Sequence, residues 1–152
     1  MSLPNPVNIE LPSSGGQPFR LDEHRGQPVV LFFYPKDSTP GCTTEAQNFR
    51  DLFAEFGKLN CVVAGISRDS LKSHANFAEK QGLPFPLLSD TDEVVCTHFG
   101  VMKLKNMYGK QVRGIERSTF LIDKNGAIAR EWRGVKVPGH AAEVLAAVAA
   151  LR

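Results

Sequence analysis

Two stretches of the chain are apolar at nearly every position: PVVLFFY at 28–34 and CVVAGIS at 61–67. Unbroken apolarity over such short runs predicts strands buried on both faces. Between them, EAQNFRDLFAEF sets Ala46, Phe49, Leu52, Phe53 and Phe56 along one helical stripe. The pattern then predicts a helix that starts near Asp69 and is stopped by Gly82. A short strand follows in FPLLSD, and a short helix in TDEVVCTHFG, with Thr91 as its cap and Gly100 after its end. RSTFLID and AIAREWRG read as strands joined through Lys-Asn-Gly, a hairpin signal. GHAAEVLAAVAALR is a closing amphipathic helix, and PSSGGQ at 12–17 is a turn after a short N-terminal strand. Residues 101–116 read as a long loop with a solvated basic surface. Strands alternating with helices, closed by a hairpin, predict an α/β arrangement around a central mixed sheet.

The 152 residues suffice for one core, and a single domain over 1–152 is expected. A net charge of +2 gives no reason to expect nucleic acid or an anionic membrane as partner. No run of eighteen apolar residues predicts a membrane span, and MSLPNPVNIELPSSGG does not read as a secretory signal, so the cytosol is the expected location. Cys42, Cys61 and Cys96 are too few for a disulfide scaffold, and no Cys-x-x-Cys occurs, because Thr39 and Glu45 flank Cys42 at that spacing. His24, His74, His98 and His140 are scattered, so neither a metal site nor a cofactor is expected.

That directs attention to YPKDSTPGCTTEAQNF, where Cys42 sits between a Pro-Gly turn and a helix. First-turn N–H groups have no intrahelical partner, and with the helix dipole they favour a thiolate there. Bringing any cysteine from a pKa of ~8.5 to ~6 takes about 3.4 kcal/mol. A helix terminus supplies ~0.3–1 kcal/mol, or up to ~2 when partly buried. A cation is therefore needed. Lys36 precedes the turn and Arg50 lies two helical turns along, whereas Arg117 opens the strand RSTFLID and is the candidate by position. Complete ionisation at pH 7 gains only ~30-fold, and catalysis is at least ~10⁶-fold. Most of the effect must be transition-state stabilisation by aimed donors, for which the Thr39 hydroxyl and the N–H groups around Gly41 and Cys42 are candidates. Taken singly, Cys61 and Cys96 read as core filling; Cys96 shares an apolar edge with Phe99.

PKDSTPGC matches the peroxiredoxin pattern through Pro35, Thr39 and Cys42. With SRDS, PFPLLSD, YGKQ and GIERSTFLID in order, nearly the whole chain resembles the Q-type subgroup, the bacterioferritin-comigratory proteins. The resemblance implies a thioredoxin-like, AhpC/TSA-type α/β fold: a central mixed β-sheet flanked by helices, with an N-terminal β-extension. It implies a thiol peroxidase in which Cys42 is peroxidatic and attacks hydrogen peroxide or an organic hydroperoxide to give a sulfenic acid. Pro35 would shield the sulfur, Thr39 would hydrogen-bond thiolate and peroxide, Arg117 would hold both, and Glu45 would orient the groups around the arginine. Most such relatives act as monomers.

The chain departs from the pattern where a resolving cysteine is common. Five residues after Cys42 stands Gln47, and the alternative helix position aligns with Ala78. One expectation is a one-cysteine enzyme reduced by glutathione, glutaredoxin or thioredoxin. The other is that Cys96 resolves, which requires local unfolding, because a disulfide needs Cα atoms within ~7 Å. A peroxide sensor that does not turn over and a plain binding module are the non-enzymatic readings; a disulfide reductase is excluded by Glu45 at the second thiol position.

Overall fold

The axis of the fold in the computed structural model, which describes residues 8–151, is a strand at Val29–Phe33 that is buried at all five positions. In chain order the elements are β1 (Glu10–Leu11), β2 (Phe19–Arg20), β3 (Val29–Phe33), α1 (Pro40–Asp51), α2 (Phe53–Lys58), β4 (Val62–Ser67), α3 (Leu71–Gln81), β5 (Leu87–Ser89), α4 (Val94–His98), β6 (Met102–Met107), β7 (Lys110–Ile115), β8 (Ser118–Ile122), β9 (Ile128–Arg133) and α5 (His140–Ala149). The extremes of the expected 1–152 domain, residues 1–7 and 152, lie outside the described residues.

The main sheet runs β5-β4-β3-β8-β9. β3 pairs parallel with β4 and β4 with β5, while β8 is antiparallel to β3 and β9 to β8. This is the mixed sheet expected from the alternation of elements. Because strand side chains alternate, β3 feeds two apolar layers. Val29, Leu31 and Phe33 face one, with Cys96, Phe99 and Phe120. Val30 and Phe32 face the other, with Cys42, Phe49, Phe56 and Phe77. β1 and β2 form the expected N-terminal extension, and Ser13 bridges it to Leu88 of β5.

Several boundaries follow the sequence signals. Ser70 caps α3 by accepting from the Ser73 N–H, and Gly82 ends that helix in the left-handed region. Gly126, at φ 88°, closes the turn between β8 and β9. Three expectations are corrected. Residues 101–116 are a hairpin, β6 paired with β7 across Tyr108-Gly109. Both turn residues have positive φ, 54° and 79°, as a two-residue hairpin turn requires. The expected single helix after Cys42 is two, because the chain turns at Leu52 between α1 and α2. Its apolar stripe is continuous because Phe49 and Phe56 enter the same layer. Lastly, Thr91 does not cap α4. The Asp90 carboxylate accepts from the N–H groups of Val95 and Cys96, and Glu93 takes the left-handed turn that precedes the helix.

The sheet order sets where chemistry can gather. The C-terminal ends of β3, β4 and β5 and the start of β8 share one edge. Residues 34–42, 68–70 and 117 therefore converge there, at the carboxyl edge where open α/β sheets bind ligands.

Candidate active site

Pro40 is at the first helical position of α1, where its missing N–H costs nothing. Thr39 precedes it in extended conformation (φ −84°, ψ 153°). Ser38 before it has φ 66°, the sharp bend that turns the chain from β3 into the helix. This places Cys42 in the first turn of α1, buried to 1% exposure against the apolar layer.

Arg117 reaches this sulfur from the start of β8. Its Nη2 lies 3.5 Å from Cys42 Sγ, and its Nη1 donates to Glu45 Oε1 at 2.7 Å. One guanidinium thus joins two residues of the same helix, and its rigid fork fixes where its second N–H points. Gly41 makes room for it: a Cβ at that position would stand 3.1 Å from Nη2. The sequence marks Gly41 as a turn former and N–H donor; the close approach of Arg117 is a separate reason for glycine there.

Glu45 is not a solvated first-turn residue. It is 1% exposed, and its Oε2 has no hydrogen-bond partner among the described residues. Burial pushes its carboxyl up from 4.5 to about 7, against the pull of Arg117. Burial alone would lower the Arg117 guanidinium, but Glu45 and the Cys42 sulfur outweigh it, so it stays charged.

Pro35 is half-buried on the loop leaving β3. The Thr39 hydroxyl donates to the Lys36 carbonyl at 2.8 Å, so its proton is committed to the loop, and no donor among the described residues occupies its lone pairs. The expected donation from Thr39 to the thiolate is therefore not the resting arrangement.

Cys96 lies on the opposite face of the main sheet from Cys42, fully buried beside Phe99. Burial, with Asp90 beside it, pushes its thiol well above the ordinary range. Cys61 is likewise pushed up by burial, to about 12. Gln47 donates to Gln81 across α1 and α3 at 2.8 Å, and Ala78 is half-buried on α3.

Behind the loop is a polar cluster that the sequence reading missed. Asp37, Asp69 and His74 bring ligand-type atoms within 4.8 Å of one another. Each carboxylate already accepts from internal donors, among them Tyr34, Ser67, Ser73 and the Asp37 N–H. Such saturation suits a structural hub better than an ion site. No spacing signal reveals it, since Asp37 reads as a turn residue and His74 as one position on a helix.

The AhpC/TSA family pattern matches residues 5–131. Peroxiredoxin Bcp of Xanthomonas campestris is 56% identical over 143 residues, covering 94% of this chain and 89% of that protein. A structure of the X. campestris bacterioferritin comigratory protein, concerned with its alkyl peroxide reduction activity and solved as trapped intermediate and ligand complexes, superposes with a TM-score of 0.92 at 54% identity. It covers 99% of this chain and 96% of that one. Two structures of the X. campestris peroxiredoxin Q, equally similar, each carry one cysteine-to-serine substitution.

Proposed function

This chain belongs to the AhpC/TSA family and is a peroxiredoxin, a thiol-dependent peroxidase with the thioredoxin-like fold, and from that premise we propose that Cys42 is its peroxidatic sulfur. The observation that carries this is the sulfur at the mouth of α1, 3.5 Å from a guanidinium that is itself anchored on Glu45.

The Cys42 thiolate attacks the terminal oxygen of a peroxide. A sulfur–oxygen bond forms, the oxygen–oxygen bond breaks, and its electron pair leaves with the distal oxygen, which takes up a proton to become water or an alcohol. Charge develops on both oxygens as the bond stretches. Arg117 Nη2 and the N–H groups of the first turn of α1, which have no intrahelical partner, face that region, and such preorganised donors are the largest source of rate. Thr39, whose hydroxyl proton is held by Lys36, offers lone pairs to the peroxide O–H. We assign to Pro35, on the loop that leads to Thr39, the shielding of the sulfur, and Gly41 admits the guanidinium.

The sulfenic acid is then reduced from outside. A thiol condenses with it, releasing water and forming a mixed disulfide, and a second thiol releases Cys42. Two observations support this over an internal disulfide. The positions replaced in the two X. campestris variants are as far apart in sequence as Cys42 and Ala78 are here, and an alanine cannot resolve. Cys96 would have to cross the sheet to reach Cys42. We assign glutathione, glutaredoxin or thioredoxin as the thiol source. The protein acts as a cytoplasmic monomer, one domain over 1–152, without cofactor. Among the described residues no helix is long and apolar enough to span a membrane.

Intact mass spectrometry after one equivalent of peroxide, with and without glutathione, tests this reading. One added oxygen on Cys42, converted by glutathione to a mixed disulfide, is expected. An internal disulfide between Cys42 and Cys96 would refute the one-cysteine route, and an unmodified Cys42 would refute the whole assignment.

A further inference from the structure

The loop that carries Pro35 and Thr39 is held by a buried polar hub. Asp37 is 5% exposed, and its carboxylate takes three side-chain bonds: Tyr34 Oη donates to Oδ1 at 2.6 Å, Ser73 Oγ donates to Oδ2 at 2.8 Å, and His74 Nδ1 lies 2.7 Å from Oδ2. The Asp37 N–H donates to Asp69 Oδ2 at 2.9 Å. Asp69 Oδ2 also accepts from Ser67 at the end of β4, at 2.6 Å.

His74 is fully buried on α3, and its other nitrogen, Nε2, faces the Leu88 carbonyl of β5 at 3.0 Å. A carbonyl only accepts, so hydrogen-bond geometry assigns a proton to Nε2. The bridge between Nδ1 and Asp37 then holds a further proton, whichever of the two atoms it sits on. Tyr34 stays a neutral donor, because burial, with Asp37 beside it, raises its hydroxyl well above its ordinary range. Every polar group of the hub is thereby matched, which is the condition under which a buried network adds rigidity.

We propose that Asp37 and His74 are positioning residues for the peroxide reaction: their buried bridge pins the loop leaving β3 to α3 and so fixes Thr39 and the first turn of α1 against Arg117. The connectivity is short. Ser38 at φ 66° and Thr39 are the only residues between Asp37 and Pro40. With the sharp bend fixed at one end by Asp37 and the helix started at the other by Pro40, the loop has little freedom to move the Thr39 hydroxyl or the Cys42 sulfur. Arg117 approaches independently, from β8. The two halves of the site therefore meet correctly only if the loop is tied to the sheet; His74 supplies the side-chain tie, to β5, beside the tie that the Asp37 N–H makes to β4 through Asp69 and Ser67. Displacements of about 1 Å can cost about 100-fold in rate when reacting groups must align.

Rate constants for H₂O₂ and for iodoacetamide are measured on the whole protein for the wild type, Asp37→Asn, His74→Gln and the double variant. Iodoacetamide needs an accessible thiolate but not the peroxide geometry, so the ratio of the two rates isolates alignment from folding. The ratio is expected to fall about 10-fold or more in each single variant, with alkylation unchanged or faster as the loop loosens. The double variant should lose no more than the worse single one, because the two residues act as a unit. Hydrogen exchange at residues 37–43 should speed up while the far-ultraviolet circular dichroism stays native. An unchanged ratio, or losses that multiply in the double variant, would overturn the proposal. It rests on Cys42 as the peroxidatic residue, and the two readings fail separately: a Cys42→Ser protein that still consumed peroxide would remove that assignment, whatever the ratio did.

Discussion

Replacing Glu45 with glutamine keeps the side chain's shape and removes its charge at the point where burial and pairing oppose each other. In the wild type the carboxyl titrates near 7, raised from 4.5 mainly by burial. Below that pH Glu45 is neutral and glutamine is a close imitation of it. Above it, Arg117 is held by a charge-assisted bond that glutamine cannot supply. Charged hydrogen bonds contribute about 1.5–3 kcal/mol against about 1 for neutral ones, so the variant loses about 1 kcal/mol of hold on the guanidinium, or about 5-fold in rate. The second-order rate constant with H₂O₂ is measured by stopped flow from pH 5.5 to 8.5 for both proteins. The ratio of variant to wild type is expected to be near 1 at the acid end and to fall to about one fifth at the alkaline end. A ratio independent of pH would refute the claim that the Glu45 charge holds Arg117. The same group predicts a stability slope. With the folded value above the unfolded one, the folded state binds the extra proton between pH 4.5 and about 7, so stability is full below that window and lost as pH rises through it. At 1.36 kcal/mol per pKa unit the loss is about 3 kcal/mol, seen by urea denaturation in the wild type and absent from Glu45→Gln.

Cys42→Ser should abolish peroxide consumption, followed by ultraviolet absorbance. Cys96→Ser should keep most turnover with glutathione while losing about 1–3 kcal/mol of stability in a denaturant titration, since it puts a hydroxyl at a fully buried site; loss of turnover at full folding would reinstate Cys96 as resolving. Gly41→Ala tests how closely the guanidinium must approach the first turn of α1. The alanine methyl would crowd Arg117 Nη2 at 3.1 Å, so the peroxide rate should fall several-fold; an unimpaired rate would show that the guanidinium yields freely.

How much could be read from the chain depended on whether a residue's partner was near it in sequence. The apolar runs of β3 and β4 declared themselves because both faces of each strand meet core. Cys42 at a helix start was legible because Pro40 and Gly41 are adjacent to it. The β6–β7 hairpin was not, because Leu104 is 68% exposed and Val112 43% exposed, so burial imposed no contrast between its faces; the Tyr108-Gly109 turn was the remaining signal. The break at Leu52 was hidden because both helices bury apolar residues in the same layer. Only the family resemblance pointed to Glu45 beside Arg117, because the two are distant in sequence and nothing local to Glu45 marks it as buried. The bridge from Asp37 to His74 had no such pointer. It exists because a parallel sheet brings the ends of β3, β4 and β5 to one edge.

The most direct test of Cys42 and Arg117 as one catalytic unit is the pair of rate constants, peroxide and iodoacetamide, for Arg117→Lys. Lysine keeps a positive charge near the sulfur but lacks the fork that joins Glu45 to Cys42. The peroxide rate should fall about 100-fold or more, the size of losing an aimed donor, while alkylation falls less than about 10-fold. Equal losses in both reactions would mean that Arg117 only supports the thiolate, and would contradict its role at the breaking oxygen–oxygen bond.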